Sequence, residues 1–446
     1  MFHRLRPYLS ATNGPIILAM LALMAVSLLA IRAAEAADPL LAGATVHQAV
    51  SIGVALAAFV LAGLIPLQRI GRYAYLLFGL NLALLVLVLL LPGPGSRGSH
   101  RWIRLGSIRT FQPSELAKLT YIMAMAAYLR YRENYRRLLG LVPPFLLTLL
   151  PAALILIEPD LGTTLLLFPT LFFMLFMAGA KLKHLLAVVA VASAAVFLPL
   201  PHCLDGADAD RAAEEKALAY WSGDIFGKEY AFVAAPLRLM KPHQVSRIEG
   251  WLNQSDPRLA RREGFQLRQS MVIVGSGGRD GYRMPEVMDL FLRRLPDDHT
   301  DFIFAVVGGQ WGFRGCLGVL LIYGVIFVCG AEIATLTKDP FGRLLVVGAL
   351  ALLFAQIFIN VGMTVGLMPI TGMTLPLVSF GGSSLLVNAM ALGLLVNVSQ
   401  HRPRMLGRKP FEHDAKAPEE EAAYKRPMEP LDAAANQPPP GRGVRT

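Results

Sequence analysis

The chain has 446 residues, of which 54% are hydrophobic and only 16% charged, with a mean hydropathy of +0.50. That balance excludes a soluble enzyme and points to a polytopic membrane protein. The net charge of +11 is read as lysine and arginine flanking membrane spans, not as a nucleic-acid surface.

Apolar runs near the ~20 residues a helix needs to cross a bilayer fall at 14–32, 47–67, 73–91, 112–130, 139–157, 161–180, 183–201, 302–335, 342–367 and 376–399. The first is long enough to span and reads as a retained helix, not a cleaved signal. Arg4 and Arg6 precede the first run. Arg69 and Arg72, Arg130 to Arg137, Lys181 and Lys183, Lys338 and Arg343, and Arg402 to Lys409 follow every second run. These clusters share one side, which the positive-inside rule makes the cytoplasm. Both termini then lie there. The fold class is an all-α polytopic membrane protein with about ten transmembrane helices and a large extracytoplasmic loop, about 202–300, between spans seven and eight. A transmembrane domain covers 1–401, and the charged, proline-rich stretch 402–446 reads as a disordered cytoplasmic tail.

The polar residues among these runs carry the chemistry. The outer loop 92–111 breaks the charge rule with Arg97, Arg101, Arg104 and Arg109 beside Trp102. An anion site is favoured over a merely irregular loop, because arginine suits phosphate. Gln112-Pro113-Ser114-Glu115-Leu116-Ala117-Lys118 opens the fourth span with proline in the first turn. Glu115 and Lys118 share a helix face and form either a structural ion pair or a substrate-positioning one. Asp160 is placed to cap the sixth span, with a substrate contact as its alternative.

In the long outer loop, Asp256 is either a turn former or, with its pKa tuned by burial, a general base. Gly275-Ser276-Gly277-Gly278 is a weak candidate for a phosphate-binding backbone nest. Residues 283–295 read as a short amphipathic helix. His299 and Asp301 are too few for a metal site and serve as polar anchors. The three cysteines, Cys203, Cys316 and Cys329, form neither a disulfide framework nor a metal spacing. The glycines and serines from Gly372 to Ser384 either permit close helix packing or line a polar cavity.

Taken in order, these segments resemble the SEDS family (shape, elongation, division and sporulation), with a leaning to its RodA branch over its FtsW branch. The matching stretches are Arg101-Trp102-Ile103, Gln-Pro-Ser-Glu-x-x-Lys from Gln112, Pro159 to Thr163, Asp256-Pro257, Gln269-Ser270 with Gly275 to Gly278, Leu295 through His299-Thr300-Asp301-Phe302, and Leu375 through Ser384. The resemblance implies a peptidoglycan glycosyltransferase that polymerises lipid II at the outer face of the membrane beside a class B penicillin-binding protein. It puts the essential acid at Asp256, as the base for the acceptor hydroxyl. Substrate contacts are expected from Arg101, Trp102, Gln112, Ser114, Glu115, Lys118, Asp160, Arg247, Gln269, Ser270, His299, Thr300, Asp301, Ser379 and Ser383, with Arg101 and Arg247 facing the departing pyrophosphate. No metal ligand and no certain cofactor is assigned, and a divalent cation is left open. Membrane lipids are expected neighbours; nucleic acid is not.

The chain departs from the family where Gly309-Gln310 replaces two usual glutamates, where Gly281-Tyr282 replaces Gly-Lys, and at Phe380. The segment 205–237 is longer than usual. A lipid II flippase and an inactive scaffold for a penicillin-binding protein are the alternatives.

Overall fold

The structure is a computed structural model. It describes residues 12–90, 102–105, 108–132, 134–158, 160–197, 199–203, 221–225, 228–234, 264–282 and 298–400, with Arg247, Trp251, Gln254, Leu292 and Leu295 as single positions. Arg101, Asp256, most of the 283–295 stretch and the 402–446 tail lie outside the described residues.

Among the described residues a helix occupies each of the apolar runs. They are α1 (Asn13–Ala37), α2 (Ala44–Leu64), α3 (Leu67–Leu90), α4 (Pro113–Arg130), α5 (Val142–Ile157), α6 (Leu161–Ala178) and α7 (Leu182–Phe197), followed by α8 (Phe265–Ser276), α9 (Ile303–Leu336), α10 (Pro340–Thr364) and α11 (Gly382–Gln400). Of these, α8 belongs to the long loop and not to an apolar run. Among the described residues, eight helical segments are long and apolar enough to cross a membrane. The two runs outside that set differ for visible reasons: α4 carries Glu115, Lys118 and Arg130 within 18 residues, and α7 has only 16 residues.

Local chemistry sets the helix starts. Pro113 and Pro340 sit in first turns, where a missing N–H costs nothing. Asp160 accepts from Thr163 N at 3.1 Å and Asp339 from Gly342 N at 2.9 Å, so both cap their helices. Asp339 also meets Arg130 Nη2 at 3.4 Å, which ties the end of α4 to the start of α10.

The core is built on α4, α10 and α11. The apolar stretches of α10 and α11 are 72% and 78% buried, against 28% for α2 and α3. Outer helices therefore present apolar side chains outward, as a lipid-facing shell requires, while the central ones are covered by protein.

The eighth run is not one straight helix. Gly312 adopts φ 62°, ψ −158° inside α9 and divides it into a short helix and a long one. The glycine turn after α8 causes the break. Gly278 O accepts from Phe313 N at 2.8 Å and Arg279 O from Arg314 N at 3.2 Å, so the turn caps the second half of α9. Tyr282 N donates to Gly309 O at 2.9 Å. A β-carbon on Gly277, Gly281 or Gly312 would overlap backbone of the facing segment. The nest reading is thereby corrected. The amides of Gly277, Gly278 and Gly281 already donate to Ile273, Gly275 and Gly277 carbonyls, so the turn serves close backbone packing and not anion binding.

Among the described residues, five short strands stand outside the helices. β1 (Ile103–Leu105) and β2 (Ile108–Phe111) form an antiparallel hairpin, with Ile103 opposite Phe111. β3 (Pro199–Cys203), β4 (Trp221–Ile225) and β5 (Lys228–Ala234) make an antiparallel sheet in the order β3-β5-β4. The seventh run thus ends as helix at Phe197 and continues as strand.

Gly281 has φ +90° and no room for a β-carbon. Gly281→Ala is expected to cost about 2 kcal/mol or more, from backbone strain plus overlap. Gly275→Ala, inside α8 with open space around it, should be neutral or stabilising. Thermal unfolding of the two detergent-purified variants checks this: equal melting temperatures would refute the docking role of the turn.

Candidate active site

Chain direction alternates from span to span, so α2, α4, α6, α9 and α11 all begin at the same end of the bundle. A cavity of about 790 Å³ opens among these starts. Its walls include His47 and Ser51 from α2, Gln112, Glu115 and Lys118 from α4, and Asp160 and Thr163 from α6. His299, Thr300 and Asp301 stand just before α9, and Gly381 to Ser384 open α11. Each helix start carries roughly half a positive charge from its aligned peptides. Five of them round one cavity, together with the Lys118 ammonium, set positive potential against the Glu115, Asp160 and Asp301 carboxylates that share the lining.

One carboxylate organises the α4–α6 wall. Asp160 Oδ2 accepts from Gln112 Nε2 at 3.1 Å, Ser114 Oγ at 3.1 Å and Thr163 Oγ1 at 2.9 Å, while Oδ1 takes the Thr163 amide. Capping and site building are therefore one role for Asp160. Gln112 N donates to Ser383 Oγ at 3.2 Å, which joins α4 to α11. The β1–β2 register brings Trp102 and Gln112 to the same end of the hairpin, and both line the cavity.

Lys118 is fully buried and its Nζ stands 2.7 Å from Glu115 Oε2. The approach satisfies charge but not hydrogen-bond angles. An ammonium has three donors, so this contact with one carboxylate oxygen does not occupy all of them.

The opposite wall is irregular chain between α10 and α11. Asn360 Nδ2 donates to Asp301 O at 2.8 Å and Met373 O at 2.5 Å. Gln356 Nε2 donates to Thr374 O at 3.0 Å. Ser379 Oγ accepts from Leu375 N at 2.7 Å and donates to Thr300 O at 2.5 Å, while Phe380 N donates to His299 O at 2.9 Å. His299 Nδ1 lies 3.1 Å from Asp298 Oδ1, and its ring meets Phe380 edge-on at 5.4 Å. Arg247 reaches the same wall. A β-carbon on Gly372 would lie 3.4 Å from Asp301 Oδ2 and 3.8 Å from Arg247 Nη1.

Of the residues nominated from sequence, Trp102, Gln112, Glu115, Lys118, Asp160, His299, Thr300, Asp301 and Ser383 line this cavity. Ser114, Ser270 and Ser379 do not, and their hydroxyls are committed elsewhere. Ser114 serves Asp160, Ser270 donates to Thr364 O at 2.8 Å, and Ser379 pins Thr300. They shape the site and do not line it. Gln269 sits half-buried on α8, outside the lining. Trp251 Nε1 and Gln254 Nε2 both donate to Gly366 O, at 3.1 Å and 3.0 Å. They anchor the chain a few residues before Asp256. Gly309 and Gln310 belong to the α9 kink and not to the cavity lining.

Sequence reasoning missed His47, Ser51 and Gln356, while Thr374 and Ser384 fall in the Gly372–Ser384 stretch for which a cavity lining was one of two readings. Gln356 and His47 had a readable signal, since each is a polar side chain inside an apolar run.

Lys118→Met should destabilise the protein by about 3–5 kcal/mol, because it strands the Glu115 carboxylate in a buried site. Glu115→Gln/Lys118→Met should recover most of that loss and remain inactive. Thermal unfolding and turnover measured together decide it: an active double variant would reduce the pair to packing.

The family model described as cell cycle protein, covering FtsW, RodA and SpoVE, matches residues 12–212 and 217–404. The probable peptidoglycan glycosyltransferase FtsW of Idiomarina loihiensis is 34% identical over 349 residues, 77% of this chain and 73% of that protein. The peptidoglycan glycosyltransferase RodA of Treponema pallidum is 33% identical over 352 residues, 71% of this chain and 80% of that protein. These two match almost alike, so they do not separate the RodA branch from the FtsW branch. A chain from a solved peptidoglycan synthase complex that coordinates polymerization and crosslinking superposes with a TM-score of 0.68 at 28% identity, over 89% of this chain and all of that one. The chain belongs to the FtsW/RodA/SpoVE family of cell cycle proteins.

Proposed function

We propose that this protein is a peptidoglycan glycosyltransferase that polymerises lipid II at the outer face of the bacterial cytoplasmic membrane. The observation that carries this reading is the polar cavity at the meeting of five helix starts, with a buried lysine inside an otherwise apolar bundle. Lipid II joins a polyprenyl tail, a pyrophosphate and a disaccharide-pentapeptide. The helix starts and Lys118 suit the pyrophosphate, and the apolar helices suit the tail.

In the reaction the acceptor sugar hydroxyl attacks the anomeric carbon of the donor. The new C–O bond forms as the bond to polyprenyl pyrophosphate breaks, and the leaving group departs as an anion. Asp256 takes the hydroxyl proton. Arg101 and Arg247 face the pyrophosphate and stabilise its growing charge. The position of Arg247 beside Asp301 and Gly372 supports its part, and the anchors at Trp251 and Gln254 support a role for the Asp256 segment at this end.

The orientation follows from charge. Arg69 and Arg72, Arg130 to Arg137, Lys181 and Lys183, and Lys338 and Arg343 fall at links opposite the cavity end, which supports an orientation with these links and both termini in the cytoplasm. The partner is a class B penicillin-binding protein, a reading supported by the likeness to a chain from a synthase complex. Residues 402–446 form a cytoplasmic tail.

The test is glycan polymerisation from purified lipid II by the protein with its cognate penicillin-binding protein, transpeptidation being blocked and class A polymerases excluded. Asp256→Asn in an intact, partner-bound complex should lose about a hundredfold or more of the rate. Equal polymer from both proteins would remove Asp256 from the chemistry. No polymer from either, in an assembled complex, would favour the flippase or the scaffold.

A further inference from the structure

At the end of the bundle opposite the active-site cavity, α7 is poorly covered. Leu182, Leu186 and Val191 are each more than half exposed. Between α7 and the first turns of α5 runs an apolar groove of about 530 Å³. Leu139, Val142, Phe145 and Leu149 form one side, and Val188 and Val191 the other. Its lining is hydrocarbon throughout, which suits an alkyl chain lying along the helices.

The chain leading into each side of this groove is cationic. Arg136 and Arg137 directly precede Leu138, which lines it, and Lys181 and Lys183 flank the start of α7, about one to two turns before Ala187 and Val188 on the other side. The two links meet in space. Tyr135 donates its hydroxyl to Ala178 O at 2.9 Å, and a β-carbon on Gly179 would lie 3.6 Å from Arg136 Nη2. Arg136 Nε is enclosed without a hydrogen-bond partner among the described residues, as is His184 Nδ1. Lys181, Lys183 and Arg137 are exposed. Among the described residues no carboxylate pairs with any of these four cations. The acid of this stretch, Glu133, lies outside the described residues.

We propose that an anionic phospholipid binds here, with an acyl chain in the groove between α5 and α7 and its phosphate among Arg136, Lys181 and Lys183. The guanidinium and ammonium donors match phosphate oxygens. The groove supplies the apolar area that a headgroup contact alone lacks. The lipid also fills the gap that leaves α7 loosely packed. A scattered positive surface would attract anionic lipid without choosing a place. An apolar groove ending at facing cations does choose one.

The test uses the full-length protein in nanodiscs of phosphatidylcholine with a minor share of phosphatidylglycerol. Native mass spectrometry after release into detergent reads the retained lipid. Wild type should retain phosphatidylglycerol over phosphatidylcholine. Arg136→Ala/Lys183→Ala should lower that retention by about tenfold or more, whereas Arg69→Ala/Arg72→Ala, which removes equal charge from another link, should leave it intact. Ala187→Phe fills the groove with the charges unchanged and should also release the lipid. Lys181→Gln/Lys183→Gln alters only exposed side chains and must weaken retention too, which covers any failure of the first variant to assemble. No preference for phosphatidylglycerol, equal loss in both charge variants, or full retention in Ala187→Phe would each overturn the proposal.

Discussion

The chain between α10 and α11 has no regular structure, yet Met373, Leu375, Leu377 and Val378 are buried. Away from water, every amide and carbonyl there needs a partner from the protein. Side chains on α10, on α9 and in the stretch itself supply them. Asn360 holds Met373 O, Gln356 holds Thr374 O, Ser379 takes Leu375 N, and Tyr323 donates to Pro376 O. Leu377 accepts a left-handed backbone, φ 64°, within this frame. Because the same bonds grip Thr300 and Asp301, the irregular stretch also fixes the entry to α9. The cavity exists because this segment is held open by hydrogen bonds and not collapsed into helix.

Electrostatics then follows from topology. A chain that crosses back and forth must place alternate helix starts at one end. Their dipoles add where the helices converge, and here they converge on polar side chains. Asp160 sits in that field with its oxygens saturated by neighbours, so it serves as a cap and a hub. Lys118 and Glu115 sit deeper, close enough to balance each other, without the angles that would use up the ammonium's donors. An anion entering between the walls meets fixed partial charges instead of a solvent that must reorganise. Of the five helices whose starts meet there, α4 and α11 are among the most covered of the bundle.

Sequence patterning was informative wherever burial is decided within one segment. Each apolar run became a helix, and the Pro113 and Asp160 signals marked true starts. It was less informative where two segments share a contact. The glycines from Gly275 to Gly281 suggested a phosphate nest, since turns and nests use the same residue. In the fold the value of Gly277 and Gly281 is the absence of a side chain against Gly308, Gly309 and Gln310, which lets the turn cap a broken helix. The replacement of two usual glutamates by Gly309 and Gln310 falls at this same contact. Ser270 and Ser379 misled in a similar way. A buried hydroxyl looks the same in sequence whether it faces a ligand or satisfies a carbonyl.

The sequence by itself determined that this is a membrane-embedded helical protein, which end of each helix carries positive charge, and which ordered motifs mark its family. These properties belong to single segments, because transfer into lipid and positive flanks are summed residue by residue along one helix. Only the tertiary structure decided which polar residues share a cavity, that α9 breaks at Gly312, and that Arg136 meets the turn before α7. Those depend on residues far apart in the chain that come within hydrogen-bond or van der Waals reach, and the energies involved vanish within a few ångströms.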